Sequence, residues 1–396
     1  MSDFSSKGLS VLVKSPLVQG DDFIGNFSKE VRAYSHTINS NGGFTSANIT
    51  IPGNNDFVEN WIQYGLGRHI EVYGPGGQII WEGFVNEVTG NLGSAVFTRG
   101  PLMDIANRVV VWYTPKLHCL ELGDPAYDPD CKEGESTGTQ FPTIIAEDFD
   151  SQEKYGILEK VVNIGEAYTE DAEMIRDLYL VENANPIWKP SLSIADNSGE
   201  MSIQVNCRGY YDWLSQFVFN DYGDTFEFVS TIIKDIITAD PNDIFSSDYS
   251  RIEENLVIAL KYFVDDKLAK TLLDDILAFG GGNDDRWTFG VYKDRKVFYQ
   301  PIPEEVEYIY YKTGKIQQVE KLSGEIVEPW DVLPCKWVGI PTMLTSFPFN
   351  ISSPRTDPRI FFGEEVTYTA PDKIEITGAR ISKLNQLMAK LGLGGA

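Results

Sequence analysis

The chain has 396 residues, of which 42% are hydrophobic and 12% aromatic, enough for compact folding and too much for a disordered protein; the length predicts two or three domains. Its 58 acidic and 33 basic side chains leave a formal charge of −25, a field that repels phosphates and argues against sequence-independent nucleic-acid binding through a neutralising surface. The four cysteines, Cys119, Cys131, Cys207 and Cys335, are too few to frame a scaffold of this size; free thiols are expected, and a Cys119–Cys131 bridge across a short loop is the alternative.

The opening run MSDFSSKGLSVLVKSP has no basic segment followed by a long apolar stretch, so no secretory signal is predicted. No window approaches the ~18 consecutive apolar residues of a membrane span, and synthesis in a cytoplasm is the expectation.

Residues 1–115 read as a first β-barrel domain. GLSVLVKSP, HTINSNGG, FTSANITIP, RHIEVYG and QIIWEGFVNEV are short β-prone runs separated by Gly, Asn and Pro. DFVENWIQYGLG interrupts them as a helix, with Phe57, Trp61 and Tyr64 at helical spacing and Gly65 and Gly67 as its stop. In RHIEVYGPGGQIIWEGFVNEV, Ile70 and Val72 share one face, as do Ile79, Trp81 and Val85, while Ile80, Phe84 and Val88 fill the other. Apolar residues on both faces predict a hairpin buried on both sides, with Gly83 at a bend or bulge. The turn GPGG is followed by a strand rather than a helix, so it is no phosphate cradle.

Residues 116–189 read as a polar, acidic connector or interaction segment with partly helical stretches. Residues 190–340 read as a second β-barrel domain related to the first. SHTINSNGGFTSANITI, from Ser35, aligns without gaps on SLSIADNSGEMSIQVNC, from Ser191, at an offset of 156 residues. EVYGPGGQIIW matches GVYKDRKVFYQ with Tyr73 opposite Tyr292, at an offset of 219, which predicts a 63-residue insertion in the second copy. That insertion, about 222–284, reads as helical: Phe226, Val229, Ile233 and Ile236 form one stripe, and Leu268, Leu272, Leu273, Ile276 and Leu277 another. Asp240-Pro241 and the glycines from Gly280 stop these helices. Residues 341–396 read as an extension ending in an amphipathic helix through Ile381, Leu384, Leu387, Met388 and Leu391, which either folds back or docks on a neighbouring subunit. The expected fold is mainly β (α+β): two similar β-barrel domains, the second with a helical insertion, plus a connector and a C-terminal extension.

No nucleophile elbow, Walker loop, H-E-x-x-H or dinucleotide fingerprint occurs, and His36, His69 and His118 lie in separate contexts. His36 and His69 read as satisfied structural residues within strands. His118 with Cys119 and Cys131 offers three metal ligands without a fourth, and Asp124, Asp128 and Asp130 offer oxygen ligands for Ca²⁺ without the closing Glu of an EF-hand. Glu304, Glu305 and Glu307 suit a glycosidase pair less well than a solvated strand flank. Trp81, Trp112, Trp188, Trp213, Trp287 and Trp330 suit cores and contacts at least as well as sugar platforms. No catalytic, cofactor-binding or metal-ligating residue is assigned, and no cofactor is expected.

The runs NGGFTSANITIP, NWIQYGLGRHIEVYGPGGQIIWEGFVNEV and RGPLMDIANRVVVWYTP resemble tail proteins of bacteriophages, as do NCRGYYDWLSQFVF, RWTFGVYKDRKVFY and EIVEPWDVLPCKWV. The chain looks most like the hub at the tail tip or baseplate, a resemblance that covers most of residues 8–340. It implies two related β-barrel domains and a homo-oligomeric ring, often a trimer, that matches a sixfold tail tube. It also implies a place in the virion, between the tail tube or distal tail protein, the tape-measure protein and the tip or fibre proteins, with DNA passing an acidic lumen. A fused lysozyme-like or peptidase-like region is missing, so the expected role is structural and not enzymatic. The alternatives are a carbohydrate-binding tail adhesin and a cell-wall glycoside hydrolase.

Overall fold

The computed structural model describes residues 4, 7–93, 95–119, 130–192, 201–277, 287–303, 305–313, 316–340 and 360–379. The fold is mainly β, and its largest sheet begins in the N-terminal third with β1 (Ser10–Pro16), β2 (Phe23–Asn26), β3 (Ala33–Asn39) and β4 (Gly42–Pro52). Helix α1 (Asn55–Tyr64) follows, then β5 (Arg68–Tyr73), β6 (Ile79–Leu92) and β7 (Ala95–Arg99). The helix starts where Asn54 caps it, its side chain accepting from the Phe57 amide, and ends on Gly65 as expected. Its buried face is Val58, Trp61 and Ile62 rather than the predicted stripe, because Tyr64 points into solvent.

β5 and β6 form the predicted hairpin, buried on both faces: Ile70, Val72, Trp81 and Val85 lie to one side and Phe84 to the other. Each such side chain contributes about 1.5–3 kcal/mol by leaving water. With 14 residues, β6 is long enough for several partners. β5 runs beside its first half and β7 beside its second, while its other edge, from Phe84 to Asn91, takes β13 (Ser202–Arg208). β13 also pairs along its whole length with β4, from Ser202 opposite Pro52 to Arg208 opposite Ser46.

Between β7 and β13 the chain builds a small α/β unit. It comprises β8 (Arg108–Pro115), β9 (Phe141–Pro142), β10 (Ala146–Glu147), α2 (Phe149–Tyr155), β11 (Glu159–Ala167) and α3 (Thr169–Asn183), after which β12 (Trp188–Leu192) returns to the large sheet beside β7. β11 lies parallel to β8, the arrangement that needs a crossover between them, and α3 covers this sheet through Ala172 against Val111 and Tyr113. The segment read as a connector is therefore folded, and it takes β8 from the stretch read as the first barrel. Asn107, fully buried, ties the unit together: its amide donates to the Gly156 carbonyl at 2.7 Å and accepts from the Leu158 amide at 2.8 Å.

Later elements are β14 (Val218–Phe228), α4 (Val229–Thr238), β15 (Ile258–Leu268), α5 (Ala269–Leu277), β16 (Trp287–Val291), β17 (Val297–Pro301), β18 (Val306–Thr313), β19 (Ile316–Lys321), β20 (Ile326–Val327), β21 (Lys336–Gly339), β22 (Ile360–Thr369) and β23 (Lys373–Ala379). β16 and β17 form a hairpin, as their likeness to β5 and β6 predicted. β22 pairs with β3, β21 and β23, which joins the last strands to the first sheet. One core accordingly runs from Phe4 to Tyr368, with smaller clusters among β18–β23 and around α3.

Three expectations are corrected. The sheets do not close into barrels: the order runs out at β2 on one side and branches at β22 on the other. The counterpart of the β3–β4 hairpin is not a hairpin, because β12 pairs with β7 while both edges of β13 are taken by β4 and β6. The insertion is not purely helical, since β14 and β15 form a two-stranded ribbon before α4 and α5. Phe226, placed on a helical stripe, lies in β14 and is 73% exposed; the alternation Thr225-Phe226-Glu227-Phe228 fits a strand as well as Phe226-Val229-Ile233 fits a helix. The predicted terminal helix from Ile381 to Leu391 lies outside the described residues.

Gly83 marks a close approach between the two halves of the chain. A Cβ on it would stand 2.1 Å from the carbonyl oxygen of Arg208, at the end of β13. Gly83→Ala is expected to lower unfolding free energy by roughly 1–3 kcal/mol. Gly165→Ala, where a Cβ meets nothing within 4 Å, changes it by less than about 0.5 kcal/mol. Urea denaturation of the two variants checks both values.

Candidate functional site

The outer face of the β5–β6 hairpin carries a buried polar cluster. Strand alternation puts His69, Glu71 and Tyr73 on one face of β5, and Glu82, directly opposite Glu71 in register, on the same face of β6. Like charges placed opposite each other on neighbouring strands are destabilising, and here both are buried: Glu71 is 6% and Glu82 1% exposed. The surroundings show how the pair is accommodated. Lys14, from β1, donates to Glu71 Oε1 at 2.9 Å, and the Tyr73 hydroxyl donates to Glu71 Oε2 at 2.9 Å. His69 Nε2 stands 3.1 Å from Glu71 Oε1, and its Nδ1 is 2.6 Å from the Tyr210 hydroxyl. With that hydroxyl donating to Nδ1, the Nε2–H donates to Glu71.

Glu82 is held from the far side of the sequence. The turn between β16 and β17 has left-handed backbone at both Asp294 and Arg295, and the Arg295 amide donates to Glu82 Oε1. The two hairpins recognised as alike in sequence therefore meet here, tip against wall. The carboxyls differ in acidity. Burial tends to raise that of Glu71, but the hydrogen bonds from His69, Lys14 and Tyr73 outweigh it and hold the group at about 2. Burial pushes Glu82 up to about 7, against the lowering effect of the amide bonds from the turn. One carboxylate is thus firmly ionised beside one that readily holds a proton, and His69 lies next to both. Among the described residues, His69, Glu71 and Glu82 are the one group of three whose potential ligand atoms all lie within 4.8 Å of one another.

The sequence reading placed His69 correctly as a satisfied strand residue but singled out neither Glu71 nor Glu82. The alternation His-Ile-Glu-Val-Tyr reads locally as one apolar and one solvated face. What covers the second face, Tyr210 and the 293–296 turn, comes from far along the chain. The remaining candidates disperse. His36 is buried and bonded to the Tyr34 hydroxyl at 2.9 Å, with burial lowering it to about 3. Cys119 and Cys131 form a disulfide, which corrects the expectation of free thiols and removes both sulfurs as thiolate ligands. His118 instead stacks on Tyr168 and faces Glu133 at 3.1 Å. Asp124 and Asp128 lie outside the described residues, as does Glu304. Glu307 is paired with Lys336 at 2.6 Å, and Glu305 is exposed. Trp81, Trp213 and Trp330 are buried, Trp112 and Trp287 half-buried, and only Trp188 of the six is exposed, with the Arg99 guanidinium over its ring. A row of sugar platforms is not present among these six.

Two apolar surfaces lie open. On the β14–β15 ribbon Phe226, Phe228 and Ile258 are exposed, as is Leu256 two residues before β15. On the small α/β unit, Met174, Leu178 and Val181 follow one another along the outer side of α3, with Ile144 close by, where its carbonyl accepts from Arg176 at 2.8 Å. The described residues thus form a β-rich scaffold with two groups of exposed apolar side chains.

No protein-family profile and no curated protein matches this chain. Among solved structures, it is similar to the tail protein from Neisseria meningitidis MC58, with 9% identity and a TM-score of 0.39 over 96% of this chain and 99% of that one. It is also similar to the 43 kDa tail protein of prophage MuSo2 from Shewanella oneidensis, with 8% identity and a TM-score of 0.40 over 95% of this chain and 98% of that one.

The disulfide gives a direct chemical prediction. Alkylation of the denatured, unreduced protein is expected to modify two cysteines, Cys207 and Cys335, and prior reduction to raise the number to four. Intact-mass spectrometry reads both numbers; four modified cysteines without reduction would contradict the bridge.

Proposed function

We propose that this chain is a structural protein of a bacteriophage tail, a hub at the tail tip or baseplate that assembles as a ring. The ring joins the tail tube or distal tail protein and the tape-measure protein to the host-facing tip or fibre proteins. The observation that carries this reading is the pair of exposed apolar faces, on the β14–β15 ribbon and on α3, mounted on a sheet that binds both halves of the chain together. Large apolar side chains grouped on projecting elements mark protein contacts, and an isolated two-stranded ribbon is marginal in water until something packs on it. The sequence runs that resemble tail proteins supply the biological setting. A formal charge of −25 suits a ring through which DNA passes without adhering, since such a field repels phosphates.

The ring is tested by light scattering of the purified chain together with electron microscopy of intact particles. The expected result is an oligomer in solution and an axial ring at the tail tip. Phe226→Asp combined with Phe228→Asp shifts the protein toward monomer and leaves its melting temperature within a few degrees, since both side chains are exposed. A wild-type chain that stays monomeric, and is absent from tails, would overturn the reading.

A further inference from the structure

The cluster on the β5–β6 hairpin has the makings of an ion site, and this goes beyond an assembly role. We infer that His69 Nε2, Glu71 Oε1 and a carboxylate oxygen of Glu82 form a binding site for one divalent first-row transition-metal ion of the zinc class. One imidazole and two carboxylates are a donor set such ions accept, with a fourth position left for water. The spacing suits them: ligands at about 2.0–2.1 Å from a tetrahedral ion stand about 3.3 Å apart. His69 Nε2 and Glu71 Oε1 are already 3.1 Å apart, and one potential ligand atom from each of His69, Glu71 and Glu82 lies within 4.8 Å of the other two.

Two further features point to a cation rather than to a merely satisfied polar core. The first is that a cation is already drawn in: the Lys14 ammonium reaches Glu71 Oε1 at 2.9 Å. That ammonium also touches Asp21 Oδ2 at 3.1 Å, and Asp21 is largely exposed. Lys14 can therefore release Glu71 and keep Asp21. The second feature is the outer layer. Glu71 Oε2 is fixed by the Tyr73 hydroxyl, Glu82 by the Arg295 amide, and His69 Nδ1 by the Tyr210 hydroxyl. Partners of this kind orient metal ligands and fix the imidazole tautomer.

The proton balance is simple. The Nε2 proton of His69 is replaced by the ion, and Nδ1 takes a proton and donates it to the Tyr210 oxygen. The Tyr210 hydroxyl turns toward the Gly83 carbonyl, 3.5 Å away. Any proton on Glu82 leaves to solvent. The bound ion neutralises two facing carboxylates and pins the 293–296 turn against the first hairpin.

Equilibrium dialysis of the full chain against Co²⁺ tests the site, with elemental analysis for stoichiometry and visible absorption for coordination. The expected result is one strongly held Co²⁺ per chain with the intense bands of a four-coordinate ion, lost on adding Zn²⁺. Glu82→Gln and His69→Gln abolish the bands. Lys14→Met keeps every ligand and removes the competing ammonium, so it tightens binding by roughly tenfold or more, the range over which groups around a metal site act. A purely structural Lys14 would give no such gain. No bands in the wild type would overturn the inference, as would bands that persist in both ligand variants. If the ligand variants fail to fold, Lys14→Met decides the matter, and unchanged or weaker affinity overturns it.

Discussion

The architecture depends on one strand with two partners. β13 spends its hydrogen-bonding groups on β4 along one edge and on β6 along the other, so a segment from the middle of the chain completes a sheet begun by the first hundred residues. An interior strand with Ile203, Val205 and Cys207 buried cannot be lifted out without exposing both neighbours. The glycine at position 83 follows from the same constraint, because the Arg208 carbonyl at the end of β13 comes closer to β6 than any side chain would allow. The small α/β unit between β7 and β13 becomes an excursion that must return to the same sheet, and Asn107 with β12 against β7 secures that return.

The buried polar cluster is a consequence of this closure. Once the second half of the chain is drawn onto the first, Tyr210 and the β16–β17 turn lie over a strand face that a lone hairpin would leave to water. Glu71 and Glu82 are then removed from solvent face to face, and the cluster of Lys14, His69, Tyr73, Tyr210 and a backbone amide is what makes that arrangement tolerable. Buried carboxylates without such partners would be protonated or would unfold the hairpin. The open surfaces have the opposite character. The ribbon and α3 leave apolar side chains uncovered.

Local features of this design were legible in the sequence. The glycine stop of α1 and the two-sided burial of residues 69–88 are decided within a few residues of themselves, and both formed as expected. The likeness of the two hairpins also pointed to elements that do form hairpins. Pairing was not legible. Nothing near Ile203 states that it will lie between Ile51 and Gly90, because that choice is made by strands far away in sequence. The ribbon was misread because residues 225–228 satisfy the strand period while Phe226 also continues the helical stripe of Val229, Ile233 and Ile236. Spacing alone also left the Cys119–Cys131 bridge undecided, since twelve residues allow but do not require a closed loop.

Native-state hydrogen exchange on the β13 amides bears most directly on this account. If β13 is the element that unites the two halves, the amides of Ile203, Val205 and Cys207 exchange only by global unfolding, with the same free energy as those of Ile49 in β4 and Val85 in β6. Exchange of β13 through a local opening, at a free energy well below the global value, would mean that the strand is an add-on and that the first sheet stands without it.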